Sequence, residues 1–273
     1  MRGWGRLGNG RLRAAALCVG WLSACWPGAA LASPWNRPAG QLLTIGKVTH
    51  QVATEEERRF AQTTSETYAE FGLTPRLMLG GKFGFAFQSV QQPAYAQTAA
   101  VDDRLGGLSD AEAYLQVQTW RSDRLALSAA LDVAAPVSTT SRLGLDRAFG
   151  RDGAAGVSAL AGYDFGPLFA TFRLAPRLSL GDDAAFLKSE ATLGRPFEEG
   201  WLRGGMAALE LFATQSLGGA EAGGVDYSLY QLAPSLVLPL GGRFKLQIGA
   251  VFDVAGEGVD LGRGGFVGLW VGE

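Results

Sequence analysis

The stretch TYAEFGLTPRLMLGGKFGFAF, Thr67 to Phe87, alternates apolar and polar positions on both sides of a Gly-Leu-Thr-Pro turn. A period of two marks a strand with one dry face and one wet face. The same pattern recurs along the chain. From Phe244 to Val254, Phe244, Leu246, Ile248, Ala250, Phe252 and Val254 oppose Lys245, Gln247, Gly249 and Asp253. From Arg76 to Gln88, Leu77, Leu79, Phe83, Phe85 and Phe87 oppose Arg76, Lys82 and Gln88. Arg124–Val133 sets Leu125, Leu127, Ala129, Leu131 and Val133 against Arg124, Ser128 and Asp132, and Ala111–Trp120 sets Ala113, Leu115 and Val117 against Glu112, Gln116 and Gln118.

The alternation and its turn signals predict twelve strands, over 40–50, 63–71, 76–89, 109–120, 124–134, 153–163, 168–180, 185–195, 201–214, 226–238, 243–254 and 262–272. These runs are about twice the usual strand of ~5–6 residues. Ten or so tilted residues cross the hydrocarbon core of a bilayer. Past Trp35 no 18-residue apolar run exists that could cross as a helix. The fold class is therefore all-β, a transmembrane antiparallel barrel of about 12 strands; a soluble sandwich would favour shorter strands.

The connections alternate in length. GLTP, RSD, DFGP, PFEEG and PLGG are tight turns, and longer links lie near 51–62, 90–108, 135–152, 215–225 and 255–261, with one short exception near 181–184. Outer-membrane barrels pair short periplasmic turns with longer outer loops, and an even strand count returns the chain to the periplasm. Trp120, Trp201 and Trp270 fall at strand ends on the short-turn side, the placement expected of an aromatic girdle at the membrane interface.

Composition adds an address. Arg2, Arg6, Arg11 and Arg13 precede the apolar AAALCVGWLSACW, which stops at Pro27 and is followed by Ala30-Leu31-Ala32. That reads as a signal peptide over 1–32 with the barrel over 33–273. A second reading of the same stretch is a lipobox, LSAC, which would make Cys25 a lipidated first residue. Both export the chain, and export together with the barrel pattern predicts the outer membrane of a Gram-negative bacterium. Removing residues 1–32 takes four arginines and no acid from 24 basic and 26 acidic residues, leaving a net charge of −6.

Chemistry-bearing motifs are sparse. The two cysteines, Cys18 and Cys25, lie within the leader, and His50 is the one histidine, so a disulfide framework, a zinc site and a cysteine nucleophile are not expected. No serine stands in a local motif with His50, as a lipid-modifying enzyme of the Ser-His type would need. The acidic clusters at Glu55–Glu57, Asp102–Asp103 and Asp182–Asp183 lack calcium-loop spacing. GEGVDLGRGG lacks the Lys-Ser/Thr ending and the helix of a phosphate loop. The acidic charge and the missing basic groove exclude nucleic acid as an expected partner. Neither cofactor nor catalytic residue is expected.

What remains is the wet face. Alternation assigns Glu66, Glu70, Arg76, Lys82, Glu112, Arg124, Asp132, Arg173, Arg177, Lys188, Glu190, Lys245 and Asp253 to the lumen. A ring of one sign would set ion selectivity; both signs are present here, as in a lumen filled by ion pairs or a narrow pore.

WNRPAGQ, with Trp35, Pro38 and Gly40, and YAEFGLTPRL, with Tyr68, Glu70, Phe71, Gly72, Leu73, Thr74, Arg76 and Leu77, resemble the XagA-type family of outer-membrane barrels. The resemblance covers about the first quarter of the chain past residue 32. It implies a non-enzymatic, porin-like surface protein associated with exopolysaccharide loci. The expected partners are outer-membrane lipid and lipopolysaccharide, the barrel assembly machinery, and exopolysaccharide or small solutes. A narrow channel for small solutes or oligosaccharides is the first alternative, and a lipid-modifying enzyme the second.

Overall fold

The computed structural model describes residues 33–55, 58–92, 101–135, 153–181, 185–217 and 227–272. Residues 1–32, read above as a signal peptide, and most of the longest links lie outside that set. Twelve strands follow in order: β1 Leu42–Glu55, β2 Arg58–Thr74, β3 Leu77–Gln92, β4 Val101–Arg121, β5 Leu125–Ala134 and β6 Ala154–Asp164. They continue as β7 Phe169–Ser179, β8 Phe186–Pro196, β9 Met206–Ser216, β10 Ser228–Gly241, β11 Phe244–Glu257 and β12 Gly262–Gly272.

Each strand pairs antiparallel with its sequence neighbours, and β1 also pairs with β12, from Leu43↔Gly272 to Ala53↔Gly262. The sheet is therefore a closed barrel. Its exterior is apolar: Leu79, Phe83, Phe85, Phe87, Leu131, Val133, Val157, Leu178, Leu193, Leu211, Leu236, Ile248 and Val267 are all exposed. Such a surface is at home in hydrocarbon, where backbone groups must be paired within the protein and a sheet must close. Exterior and topology are those of a Gram-negative outer-membrane β-barrel.

The predicted strands all form, but several run longer. The link expected at 51–62 is partly sheet, because Gln51↔Gln62, Val52↔Ala61 and Ala53↔Phe60 continue the β1–β2 ladder. Likewise Val101 to Leu108 pair with Gln92 to Phe85. Polar side chains stop a strand from meeting lipid; they do not stop its backbone from pairing beyond the membrane. Strand β9 starts later than expected, since Gly200–Leu202 forms a 3-10 turn ahead of it.

Four connections of two to four residues (β2–β3, β4–β5, β6–β7 and β10–β11) and the nine-residue β8–β9 link share one end with the entry to β1 and the exit from β12. By the usual polarity of these barrels that end is periplasmic.

Parity along β3 provides a test. Phe85 is exterior and Lys82 interior, so Phe85→Arg would place a guanidinium in lipid at about 2–4 kcal/mol near mid-bilayer. Folded, heat-modifiable barrel in outer-membrane fractions should fall sharply for Phe85→Arg and stay near normal for Lys82→Ala. Equal yields would contradict the facing.

Candidate functional site: the lumen and its N-terminal plug

The interior is tiered. Nearest the periplasmic end, Leu43, Ile45, Tyr68, Met78, Tyr114, Leu160, Phe169, Met206, Val237 and Trp270 form a buried cluster. Into this tier runs the segment before β1. Ser33, Pro34 and Asn36 are buried within the barrel. The wall holds them chiefly by their main chain. Gln116 donates Nε2 to Ser33 O at 2.7 Å and to Asn36 Oδ1 at 3.0 Å. Pro34 O accepts from Gln118 Nε2 at 2.9 Å and from Ser128 Oγ at 2.7 Å.

Two wall positions are glycine because the segment passes so close. A Cβ on Gly162 would come within 2.4 Å of Pro34 Cγ and 2.5 Å of the Trp35 ring, and one on Gly72 within 2.2 Å of Pro38 O. Glu70 fixes the segment electrostatically. Its Oε2 accepts from Arg37 Nε at 2.9 Å, and its Oε1 from Tyr68 OH at 2.5 Å and Tyr114 OH at 3.0 Å.

Above this plug lies a layer of charge. Glu66 sits between Lys47 at 3.1 Å and Lys82 at 3.2 Å. Glu112 takes Arg177, whose Nη2 donates to Oε2 at 2.8 Å, and also Lys188. Asp132 pairs with Arg173 and accepts from Ser158 Oγ. Arg177 Nη2 stands 3.6 Å from Asp132, and Arg173 Nη1 3.9 Å from Glu190. Strands β4 and β7 are not sheet neighbours, so the Glu112–Arg177 pair spans the lumen itself. Glu210 faces the same space, buried between the exposed Leu209 and Leu211.

Eight of the thirteen predicted lumen residues meet in this layer: Glu66, Lys82, Glu112, Asp132, Arg173, Arg177, Lys188 and Glu190. Glu70 belongs to the plug tier. Lys245 is half-buried on the inward parity of β11, beside the buried Gln247. Asp253, towards the other end, accepts from Gln231 Nε2 and Gly262 N, both at 2.8 Å.

Three assignments need correction. Arg76 and Arg124 lie exposed in the β2–β3 and β4–β5 turns, outside the lumen, because the alternation stops where the backbone turns. Trp270 is no girdle residue. It is 3% exposed and points inward, its Nε1 donating to Gln247 Oε1 at 3.0 Å. Leu269 and Val267 occupy the outward parity of β12 instead. Trp120 and Trp201 do lie on the exterior at the short-turn end.

Sequence reasoning missed the lumen placement of Lys47, Glu210, Tyr68, Tyr114 and the Ser33–Arg37 segment. Parity alone would have found the tyrosines, since Tyr68 shares a face with Glu66 and Glu70, and Tyr114 with Glu112 and Gln116. His50 is exposed on the exterior parity of β1, its Nδ1 2.9 Å from Thr63 Oγ1. Glu56, Glu57, Asp182 and Asp183 lie outside the described residues, as do the side chains of Glu55, Asp102 and Asp103.

No protein-family model matches the chain, and no curated protein matches it in sequence. Solved structures do. The fold is similar to an outer membrane channel from Pseudomonas putida F1, with 12% identity, a TM-score of 0.66, and 90% of this chain and 100% of that one covered. It is also similar to the translocator domain of the autotransporter NalP from Neisseria meningitidis (11% identity, TM-score 0.54, 95% and 92% covered). The β domain of the Bordetella autotransporter BrkA gives 14% identity and a TM-score of 0.52, with 86% and 100% covered. At such identities the likeness establishes the fold, an outer-membrane β-barrel. It does not extend to the exopolysaccharide association, which rests on the two motif blocks alone.

Glu112 is the hub of the charged layer. Glu112→Gln would leave the buried Arg177 with Asp132 alone, at 3.6 Å, and take the counter-charge from Lys188, at about 3 kcal/mol, the lower end for a broken buried pair because Lys188 is partly exposed. The urea midpoint of the vesicle-inserted barrel should fall accordingly. An unchanged midpoint would show that the layer does not hold the interior together.

Proposed function

We propose that the protein is a narrow outer-membrane channel for small polar solutes, oligosaccharides included, kept closed at its periplasmic end by its own N-terminal segment. The observation that carries this reading is the water left to the charged layer. The side chains of Lys47 and Lys82 remain 30% and 31% exposed although both point into the lumen, and those of Lys188 and Glu190 keep 26% and 22%.

A lumen that had only to be filled would be as stable with apolar side chains, since buried ion pairs seldom outdo well-packed hydrophobic residues. A hydrated polar layer suits passage. The resemblance to a solved outer membrane channel adds support at the level of the fold.

Charge balance bears on the cargo. Among the described residues, Lys47, Lys82, Arg173, Arg177 and Lys188 face Glu66, Glu112, Asp132, Glu190 and Glu210. Five against five gives no ring of one sign, so weak ion selectivity and neutral or zwitterionic solutes are favoured.

The plug fits incompletely. Asn36 Nδ2, Arg37 Nη2 and Gln116 Oε1 are buried around it with no hydrogen-bond partner. Each such atom forfeits about 1–3 kcal/mol of solvation, which lowers the cost of withdrawing the segment.

Planar-bilayer recording tests the reading. The wild-type barrel should conduct in small, infrequent steps, and Gln116→Ala/Gln118→Ala/Ser128→Ala, which frees the plug, should raise mean conductance severalfold. If both stay electrically silent while the barrel is folded, the channel reading falls to a closed scaffold.

A further inference from the structure

We propose that Glu70 is the binding site for the α-ammonium group created when the chain is cut between Ala32 and Ser33. The cut is a hydrolysis by a membrane signal peptidase. The C–N bond breaks, the water oxygen joins the Ala32 carboxylate, and both water protons go to the Ser33 nitrogen, giving –NH3+. Ser33 is the residue immediately after Ala-Leu-Ala, and it lies 2% exposed inside the barrel. Its nitrogen stands 3.4 Å from Glu70 Oε1, in the position the ammonium would take.

The carboxylate is equipped for such a guest. Glu70 is 1% exposed, and an anion that deep is stable only with donors and compensating charge around it. Tyr68 and Tyr114 supply neutral donors to Oε1, and Arg37 supplies a charge to Oε2. Ser33 N is a third donor to the same Oε1. At that distance a single amide N–H makes a weak hydrogen bond. An ammonium there brings three protons and a full charge, and such charge-assisted bonds are about twice as strong.

The first residue is also held in shape. Trp35 N donates to Ser33 Oγ at 3.2 Å, while Ser33 O is fixed by Gln116. Processing at Ala32 then sets the plug: the new terminus anchors to the wall of β2, and a terminus of another length does not. This inference is independent of whether the barrel conducts.

The experiment starts with the protein purified from outer membranes. Its intact mass should equal that of the chain beginning at Ser33; a diacylglyceryl group on Cys25, or another first residue, would overturn the proposal. An aldehyde reagent selective for α-amines is then applied and read on the N-terminal tryptic peptide. The folded wild type should label on the order of tenfold more slowly, or less, than the urea-unfolded chain, as expected of a buried ion pair.

Glu70→Gln should restore fast labelling in the folded barrel. A Gly-Ser insertion between Ala32 and Ser33, which displaces the amine and leaves Glu70 in place, should do the same. Labelling of the folded wild type as fast as the unfolded chain would overturn the site. So would slow labelling of the insertion variant, which keeps the test decisive if Glu70→Gln fails to assemble.

Discussion

The structure depends on one constraint: in hydrocarbon, every backbone N–H and C=O must find its partner inside the protein. The β1–β12 pairing, eleven residues from Leu43↔Gly272 to Ala53↔Gly262, meets it by removing the sheet's last free edge. Closure then dictates the rest. Once the sheet is a tube, each strand residue within the membrane faces either lipid or lumen, with no third choice. The apolar exterior follows from the first option. The tiered interior is the answer to the second.

Barrel size makes that answer necessary. Eight strands enclose a space that side chains fill, and sixteen or more leave an aqueous channel. Twelve lies between. Here the periplasmic end is filled by large side chains and by main chain from Ser33 to Arg37. At mid-height, where no chain segment enters among the described residues, long charged side chains reach across from β4 to β7 and β8. They keep part of their surface open to the lumen. Dry plug and wet layer are two solutions to the same excess of volume.

Legibility in the sequence follows the same physics. Where apolar and polar residues contrast, as at Phe83-Gly84-Phe85-Ala86-Phe87-Gln88, parity identifies strand and facing together. At GFVGLWVG both parities are apolar or glycine, and nothing local says that Trp270 turns inward to Gln247. Arg76 and Arg124 mislead for another reason, since counting by twos through a turn assigns a face that the turning backbone no longer has. That the Ser33–Arg37 segment enters the lumen was not legible, because it has no periodicity and binds mostly through main-chain atoms, which alternation does not encode. Lys47 shows a subtler limit. Its face of β1, with Leu43 and Ile45, is apolar at one end and charged in the middle, a mixed signal until the cross-strand partner Glu66 is seen.

The two sequence blocks that carry the family resemblance lie 28 residues apart, from Gly40 to Tyr68, yet the fold brings them into contact. Arg37, between Trp35 and Pro38, pairs with Glu70 of the second block. Gly72, in the same hairpin, lets the carbonyls of Arg37 and Pro38 come closer than any side chain would allow. The Gly40 amide donates to Gly72 O at 2.8 Å, and Gly72 returns a hydrogen bond to Gln41 O. Tyr68 completes the arrangement on Glu70. The two blocks are thus one physical unit, the socket that seats the Ser33–Arg37 segment in the mouth of the barrel. A unit of that kind specifies how the periplasmic end is filled; the charged layer above it is built from residues outside the unit.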